Sequence, residues 1–196
     1  MYKIAITGKA NSGKNTVSKI LFEELSKKYP DNFQKVKYIA FADPIKKIIE
    51  IMFPNLPKKY LYGSSKFRAE IISGAFKEGQ PLTVRQLLMD LGSKTGRRYN
   101  ENIWIEAFDY AFKKAANDNK NVIVTDVRFR NEFDYLKQLK FTQIKLLRDC
   151  YLKINDISET NQDAIKDSEF DFILYNNGTL EDLRKEVSNI VAQLKV

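Results

Sequence analysis

The chain has no histidine and a single cysteine among its 196 residues. Without histidine there can be no Ser-His-Asp or Cys-His hydrolase and no imidazole proton shuttle. Cys150 alone cannot form an internal disulfide, and the two scarcities together remove the usual zinc sites. A reduced, cytoplasmic setting is the simplest expectation. No run reaches the ~18 consecutive apolar residues of a membrane span, and the apolar stretch within Met1–Thr7 is too short for a signal peptide and reads as a strand. Arginine is scarce as well, with eight among 33 basic residues, yet seven of them (Arg68, Arg85, Arg97, Arg98, Arg128, Arg130 and Arg148) fall between positions 68 and 148. The planar guanidinium fork suits bidentate phosphate recognition better than an ammonium does, so this clustering points to a phosphate site. Any chemistry must therefore run on Lys, Arg, carboxylates, hydroxyls, backbone N–H groups and a metal ion.

What is present suits one compact core. Hydrophobic residues make up 43% and aromatics 12%, and no low-complexity tract occurs. Tyr2–Thr7 reads as a strand, Lys14–Lys28 as a helix with Val17, Ile20, Leu21 and Leu25 at helical spacing, and 36–42 as a second strand. Asp43-Pro44 then opens a helix, with Asp43 expected as its cap. Pro54, Pro57, Gly63, Gly74, Gly79 and Pro81 punctuate a polar stretch. Residues 54–100 are therefore read as a small helical cap inserted in a single domain spanning 1–196. Thr83 starts a helix, and Ile103, Trp104, Ala107, Phe108, Ala111 and Phe112 form a wide apolar stripe that reads as core. Strands at 121–126, 142–147 and 170–175 alternate with helices at 129–139 and from 180 onward, while 149–169 is polar, irregular and lid-like. This alternation predicts an α/β fold of three layers, with a parallel five-stranded sheet covered on both faces.

Gly8-Lys9-Ala10-Asn11-Ser12-Gly13-Lys14 fits G-x-x-x-x-G-K between a predicted strand and a predicted helix, as in P-loop NTPases. Its glycines let successive N–H groups face phosphate oxygens, the helix N-terminus adds positive potential, and Lys14 would reach the β- and γ-phosphates of ATP. The motif asks for Ser or Thr next as a Mg²⁺ ligand, but here Asn15 precedes Thr16. An amide oxygen can face Mg²⁺ directly or through water. Val122-Ile123-Val124-Thr125-Asp126 is an apolar strand ending in a carboxylate, which suggests Asp126 as a second metal-side residue. Asp43 also ends a strand, and ligands gather at the carboxyl ends of strands in such sheets, so Lys14, Asp43 and Asp126 are expected to converge.

Several segments resemble the phage-type deoxynucleoside monophosphate kinases. Lys14-Asn15-Thr16 is similar to that family's G-K-D-T loop, and Phe41-Ala42-Asp43-Pro44-Ile45-Lys46 to its F-A-D-P-L-K. Thr83-Val84-Arg85-Gln86-Leu87-Leu88 with Leu91-Gly92 resembles T-P-R-x-L-L…L-G, and Trp104 falls where that pattern has a tryptophan. Asp126-Val127-Arg128-Phe129-Arg130-Asn131-Glu132 resembles D-V-R-F-x-N-E, and Asn176-Asn177-Gly178-Thr179-Leu180-Glu181-Asp182-Leu183 resembles N-D-G-T-L-E-E-L. The chain departs from the pattern at Asn15 and at Asn155-Asp156-Ile157-Ser158-Glu159, where an H-x-S-E-like segment would stand.

The resemblance implies the reaction ATP + dNMP → ADP + dNDP with Mg²⁺. Lys14, Asp43 and Arg128 are the candidate catalytic residues. ATP would lie on Gly8, Asn11, Ser12, Gly13, Lys14, Asn15 and Thr16, with Arg148 on the lid side. Asn177, Gly178 and Thr179 would lie near the ATP base, unless Thr179 is a plain helix cap. The acceptor would meet Asp43, Lys46, Arg85, Asp126 and Arg128. Arg97 and Arg98 are either a substrate clamp or surface. Asn15 and Asp126 are the candidate metal ligands. An acceptor phosphate is already ionised at neutral pH, so a chain without histidine loses nothing.

The expected partners are ATP and a nucleoside monophosphate, with no specific nucleic acid and no membrane, in a monomer or homodimer. A kinase of another metabolite, of the dephospho-coenzyme A or phosphomevalonate type, is an alternative, and there Asp43 would serve as proton acceptor. A P-loop ATPase or nucleic-acid-associated module could draw on the net charge of +8, but no aromatic-basic stacking array accompanies it.

Overall fold

The computed structural model describes residues 1–31, 35–149 and 160–194. In chain order these form β1 (Lys3–Thr7), α1 (Lys14–Lys28), β2 (Val36–Tyr38), α2 (Asp43–Met52), α3 (Lys59–Tyr62), β3 (Ile71–Lys77) and β4 (Gln80–Thr83). They continue with α4 (Val84–Met89), α5 (Gly96–Tyr99), α6 (Ile103–Asn117), β5 (Asn121–Val127), α7 (Arg130–Gln138), β6 (Thr142–Leu147), β7 (Phe172–Tyr175) and α8 (Leu180–Gln193). The chain divides into two units, one made of Met1–Ala40 with Phe108–Val196 and the other of Phe41–Ala107.

The first unit is built on a five-stranded parallel sheet in the order β2-β5-β1-β6-β7. β1 lies at its centre, and Ile4, Ala5 and Ile6 are wholly buried, as apolar strands covered on both faces must be. Ile4, Ile6, Ile123, Ile144, Leu146 and Leu174 pack with the apolar stripes of α1 and α8. Phe108 and Phe112 of α6 meet Phe141, and Phe108 also meets Tyr135 of α7 edge-on. From β1 the chain adds β2 and β5 on one side and β6 and β7 on the other. The carboxyl end of β1 is therefore a topological switch point, where such sheets collect ligands.

In the second unit the helix begins at Asp43 itself, with Ala42 as the cap residue and Pro44 inside the first turn. The Asp43 carboxylate pairs with Lys46 at 3.0 Å, and the cap position expected of Asp43 is held by Ala42. The polar stretch read as helical holds an antiparallel hairpin, β3–β4. Its two-residue tip has Glu78 at φ 52° and Gly79 at φ 77°, the doubly left-handed form that matches strand twist. Thr83 ends the hairpin and caps the next helix: its hydroxyl accepts the Gln86 N–H while the Gln86 side chain accepts the Thr83 N–H.

From Val84 to Tyr99 the helix is unbroken, but Asp90–Thr95 is wound as a π-helix. Trp104 Nε1 donates to the Gly92 carbonyl at 2.8 Å. Its ring lies so close to Gly96 that a β-carbon there would sit 2.3 Å from it. The widened turn is thus filled by an indole that needs both its volume and its one donor satisfied.

Candidate active site

The loop from Gly8 to Gly13 leaves the central strand and enters α1. A β-carbon on Gly8 would lie 2.7 Å from the Leu146 carbonyl oxygen, and Gly13 has φ 104°, which L side chains rarely adopt. Asn11 takes the left-handed form at φ 61°. The Ser12 N–H donates to Lys9 O at 3.2 Å, and the Thr16 and Val17 N–H groups donate to Gly13 O at 2.9 and 3.0 Å. Gly13 caps α1 without a side chain, and the first turn carries no acidic residue. The helix therefore presents its N–H groups and positive end without an internal carboxylate to offset them, which is the condition for anion binding. The Ser12 side chain is buried at 1% exposure, and its Oγ has no hydrogen-bond partner. The Lys14 ammonium donates to Gly8 O at 2.6 Å and Lys9 O at 2.7 Å, which holds it within the loop.

Neighbouring strands support this loop. Asn176, just past β7, donates from Nδ2 to Ser12 O at 2.7 Å. Arg148, past β6, reaches Asn11 O at a long 3.4 Å. Lys9 pairs with Asp163 at 2.7 Å. Asn177 does not face the loop; its side chain accepts the Asp149 N–H at 2.9 Å and donates to the Asp149 carboxylate at 2.7 Å. Thr179 caps α8, exchanging bonds with Asp182, whose carboxyl these bonds hold below its usual range. Gly178 leaves room for that carboxylate, since a β-carbon would approach it to 2.8 Å. Of the expected lid, 149 and 160–169 are described; Asn155–Glu159 lie outside the described residues, as does Cys150.

Asp126 is half-buried near the carboxyl end of β5, the strand beside β1, and the register pairs Thr7 with Val127. Arg128 follows at the entrance to α7. Glu132 is buried there at 3% exposure, and one of its carboxylate oxygens accepts the N–H groups of Arg128 at 2.8 Å and Phe129 at 3.1 Å. Neither Glu132 nor Asn176 stands among the residues expected from sequence. A glutamate three positions into a helix was a usable signal for the first. Arg130 is committed to Asp134 and Glu169, at 2.8 and 2.9 Å, which raise it further above its ordinary value.

In the second unit Lys46 pairs with Asp43 and lies 5.2 Å from the centroid of the Tyr62 ring. Arg85 donates to Ser65 O at 3.2 Å, Arg97 donates to Glu101 O at 2.9 Å, and Arg98 is exposed. Asn15 and Thr16 are exposed on the first turn of α1. Asn15, Thr16 and Asp126 each carry a side-chain oxygen, the donor type that a hard divalent cation takes. Among the described residues no cluster of three or more His, Cys, Asp or Glu could hold a metal by itself. No helix among them is long and apolar enough to cross a membrane.

The sequence model of the deoxynucleotide monophosphate kinases matches residues 62–187. A protein of Acanthamoeba polyphaga mimivirus, provisionally described as a deoxynucleotide monophosphate kinase, is 26% identical over 201 residues, covering 97% of this chain and 96% of the relative. TT1252 from Thermus thermophilus superposes over 100% of both chains with a TM-score of 0.48 at 15% identity. A dephospho-CoA kinase from Campylobacter jejuni covers 97% of this chain and 95% of its own with a TM-score of 0.42 at 17% identity. Both scores are below 0.5, and neither likeness bears on what this chain does.

Proposed function

The chain belongs to the deoxynucleotide monophosphate kinase family, and from that premise we propose that it transfers the γ-phosphate of ATP to a deoxynucleoside monophosphate, giving the diphosphate and ADP. The observation that carries this reading is the loop between β1 and α1. It combines a left-handed Gly13, an uncapped helix N-terminus free of acidic residues, and the Lys14 ammonium held on two backbone carbonyls. Phosphate oxygens would replace those neutral carbonyls with charged acceptors, a stronger bond for Lys14.

On this reading an oxygen of the acceptor phosphate attacks the γ-phosphorus, the bond to the β–γ bridging oxygen breaks, and ADP leaves with that electron pair. No proton has to be removed from the nucleophile. Catalysis is positioning and charge neutralisation, supplied by the loop N–H groups, Lys14 and Arg128. Arg85 and Lys46 would hold the acceptor phosphate, with Arg97 and Arg98 available as a further clamp, and Arg148 would act on the donor side. Asn15, Thr16 and Asp126 would hold Mg²⁺, which when bound offsets charge on the phosphates.

A coupled ADP-release assay with Mg²⁺-ATP across all ribo- and deoxyribonucleoside monophosphates tests this. Turnover is expected with at least one deoxynucleoside monophosphate and none with the parent nucleosides. Phosphorylation only of hydroxyl acceptors, or ATP hydrolysis indifferent to any acceptor, would overturn it.

A further inference from the structure

Asn176 occupies a position that only a glycine at residue 13 leaves open. Its Nδ2 lies 2.7 Å from Ser12 O, and a β-carbon on Gly13 would come within 2.4 Å of that same nitrogen. The asparagine is itself fixed to the sheet, because its N–H donates to Leu147 O at 2.8 Å. The bond to Ser12 O therefore ties the phosphate loop to the end of β7 across 164 residues of sequence.

A trans peptide is planar, with its C=O and N–H pointing in opposite directions. Holding the Ser12 carbonyl toward β7 thus turns the Gly13 N–H away from β7. Gly13 sits at φ 104°, where glycine has wide conformational freedom, so nothing intrinsic to the residue prevents this peptide from rotating. Ser12 cannot hold it by its own side chain, since its buried Oγ has no partner. We infer that Asn176 is a positioning residue that locks the Ser12–Gly13 peptide in the orientation that presents the Gly13 N–H to a nucleotide phosphate.

The inference rests on the loop being the site of the donor's phosphates, as proposed above, and it deepens that reading by adding a residue from the far end of the chain. Asn176 touches the loop backbone and need not touch the substrate.

The test uses the full chain and calorimetric affinity for Mg²⁺-ADP, a readout independent of phosphoryl transfer. Asn176→Ala should weaken ADP binding about 3- to 10-fold, because the freed peptide holds the binding orientation only part of the time, with little change in acceptor KM. Asn176→Asp places a carboxylate oxygen against the Ser12 carbonyl, acceptor against acceptor, and should weaken ADP binding further at pH 8. On protonation the same side chain becomes a donor. The deficit of Asn176→Asp relative to wild type should therefore shrink as pH falls from 8 toward about 4, into the ordinary carboxyl range, while that of Asn176→Ala stays constant. A merely structural role would produce no such pH signature. The inference is overturned if both variants bind ADP within two-fold of wild type, or if both lose ADP and acceptor binding equally at every pH. Wild-type chain that binds ADP but phosphorylates no monophosphate would overturn the proposed reaction, and the variants' ADP affinities would still decide the role of Asn176.

Discussion

Glu132 holds the backbone of Arg128: its buried carboxylate accepts the Arg128 N–H at 2.8 Å and, from the same oxygen, the Phe129 N–H at 3.1 Å. The guanidinium proposed to meet phosphate is thereby carried on a main chain fixed at the helix entrance. Glu132→Ala should cost about 1–3 kcal/mol, because two N–H groups lose their partner in a buried setting. Glu132→Gln keeps an acceptor oxygen and should fold nearly as well, but lower kcat/KM about 3- to 10-fold by loosening Arg128. Urea unfolding and steady-state kinetics check the pair. Equal stability of Glu132→Ala and wild type would show that these bonds do not organise the turn.

Lys14→Ala should melt close to wild type, since the ammonium's bonds to Gly8 O and Lys9 O are local ones within its own loop. Its kcat should fall roughly 10²- to 10³-fold, as when one preorganised donor to developing charge is removed. Unchanged turnover in the purified variant would refute the assignment of the loop.

Arg85→Lys and Arg128→Lys keep the charge and lose the fork. If these arginines grip the acceptor phosphate, kcat/KM for the acceptor should drop roughly 10- to 150-fold while the KM for ATP changes far less. A hydroxyl-accepting kinase would instead be damaged by Asp43→Asn and indifferent to Arg85→Lys. Kinetics with ATP and acceptor varied separately decide between them.

Asp109 and Tyr135 predict a pH dependence of stability. Burial alone would raise the Asp109 carboxyl, but Lys113 at 2.6 Å and the Tyr135 hydroxyl at 2.5 Å outweigh it and hold the carboxyl below its usual range. Its contribution is thus present above the unfolded value of about 3.9 and lost as pH falls through the lower folded value. Tyr135 is raised by burial and by its bond to Asp109, so its contribution is present below about pH 10 and lost as pH rises through the folded value. Asp109→Asn should cost about 0.5–1 kcal/mol at pH 7, a penalty that closes as pH falls through the folded value. Urea unfolding from pH 2 to 7 measures it, and a gap constant over that range would contradict the pairing.

Read from residues alone, the glycine loop 8–13 and its flanking strand and helix were recoverable because their signals are local. The loop pattern spans seven positions, the apolar spacing of α1 repeats within one helix, and the Thr83–Gln86 cap closes over three residues. The parallel sheet followed from apolar strands alternating with amphipathic helices. The β3–β4 hairpin did not, because its glycines and proline read as loop punctuation and only Ile72, Ala75 and Leu82 of its strands are buried. Spacing also could not separate a capping Asp43 from one turned to Lys46, since both need the same residue at the same helix end.

The sequence by itself marked Gly8–Lys14 as the candidate phosphate cradle and excluded histidine chemistry and an internal disulfide. Tertiary structure alone decided what holds that cradle. Hydrophobic periodicity tells which face of a strand is buried, not which strand lies beside it. Only the order β2-β5-β1-β6-β7 brings the end of β7 to the loop. The bonds from Asn176 to Ser12 and from Trp104 to Gly92 are side-chain-to-backbone contacts with no sequence pattern of their own. They exist because sheet register and helix winding set a donor within 3 Å of a carbonyl.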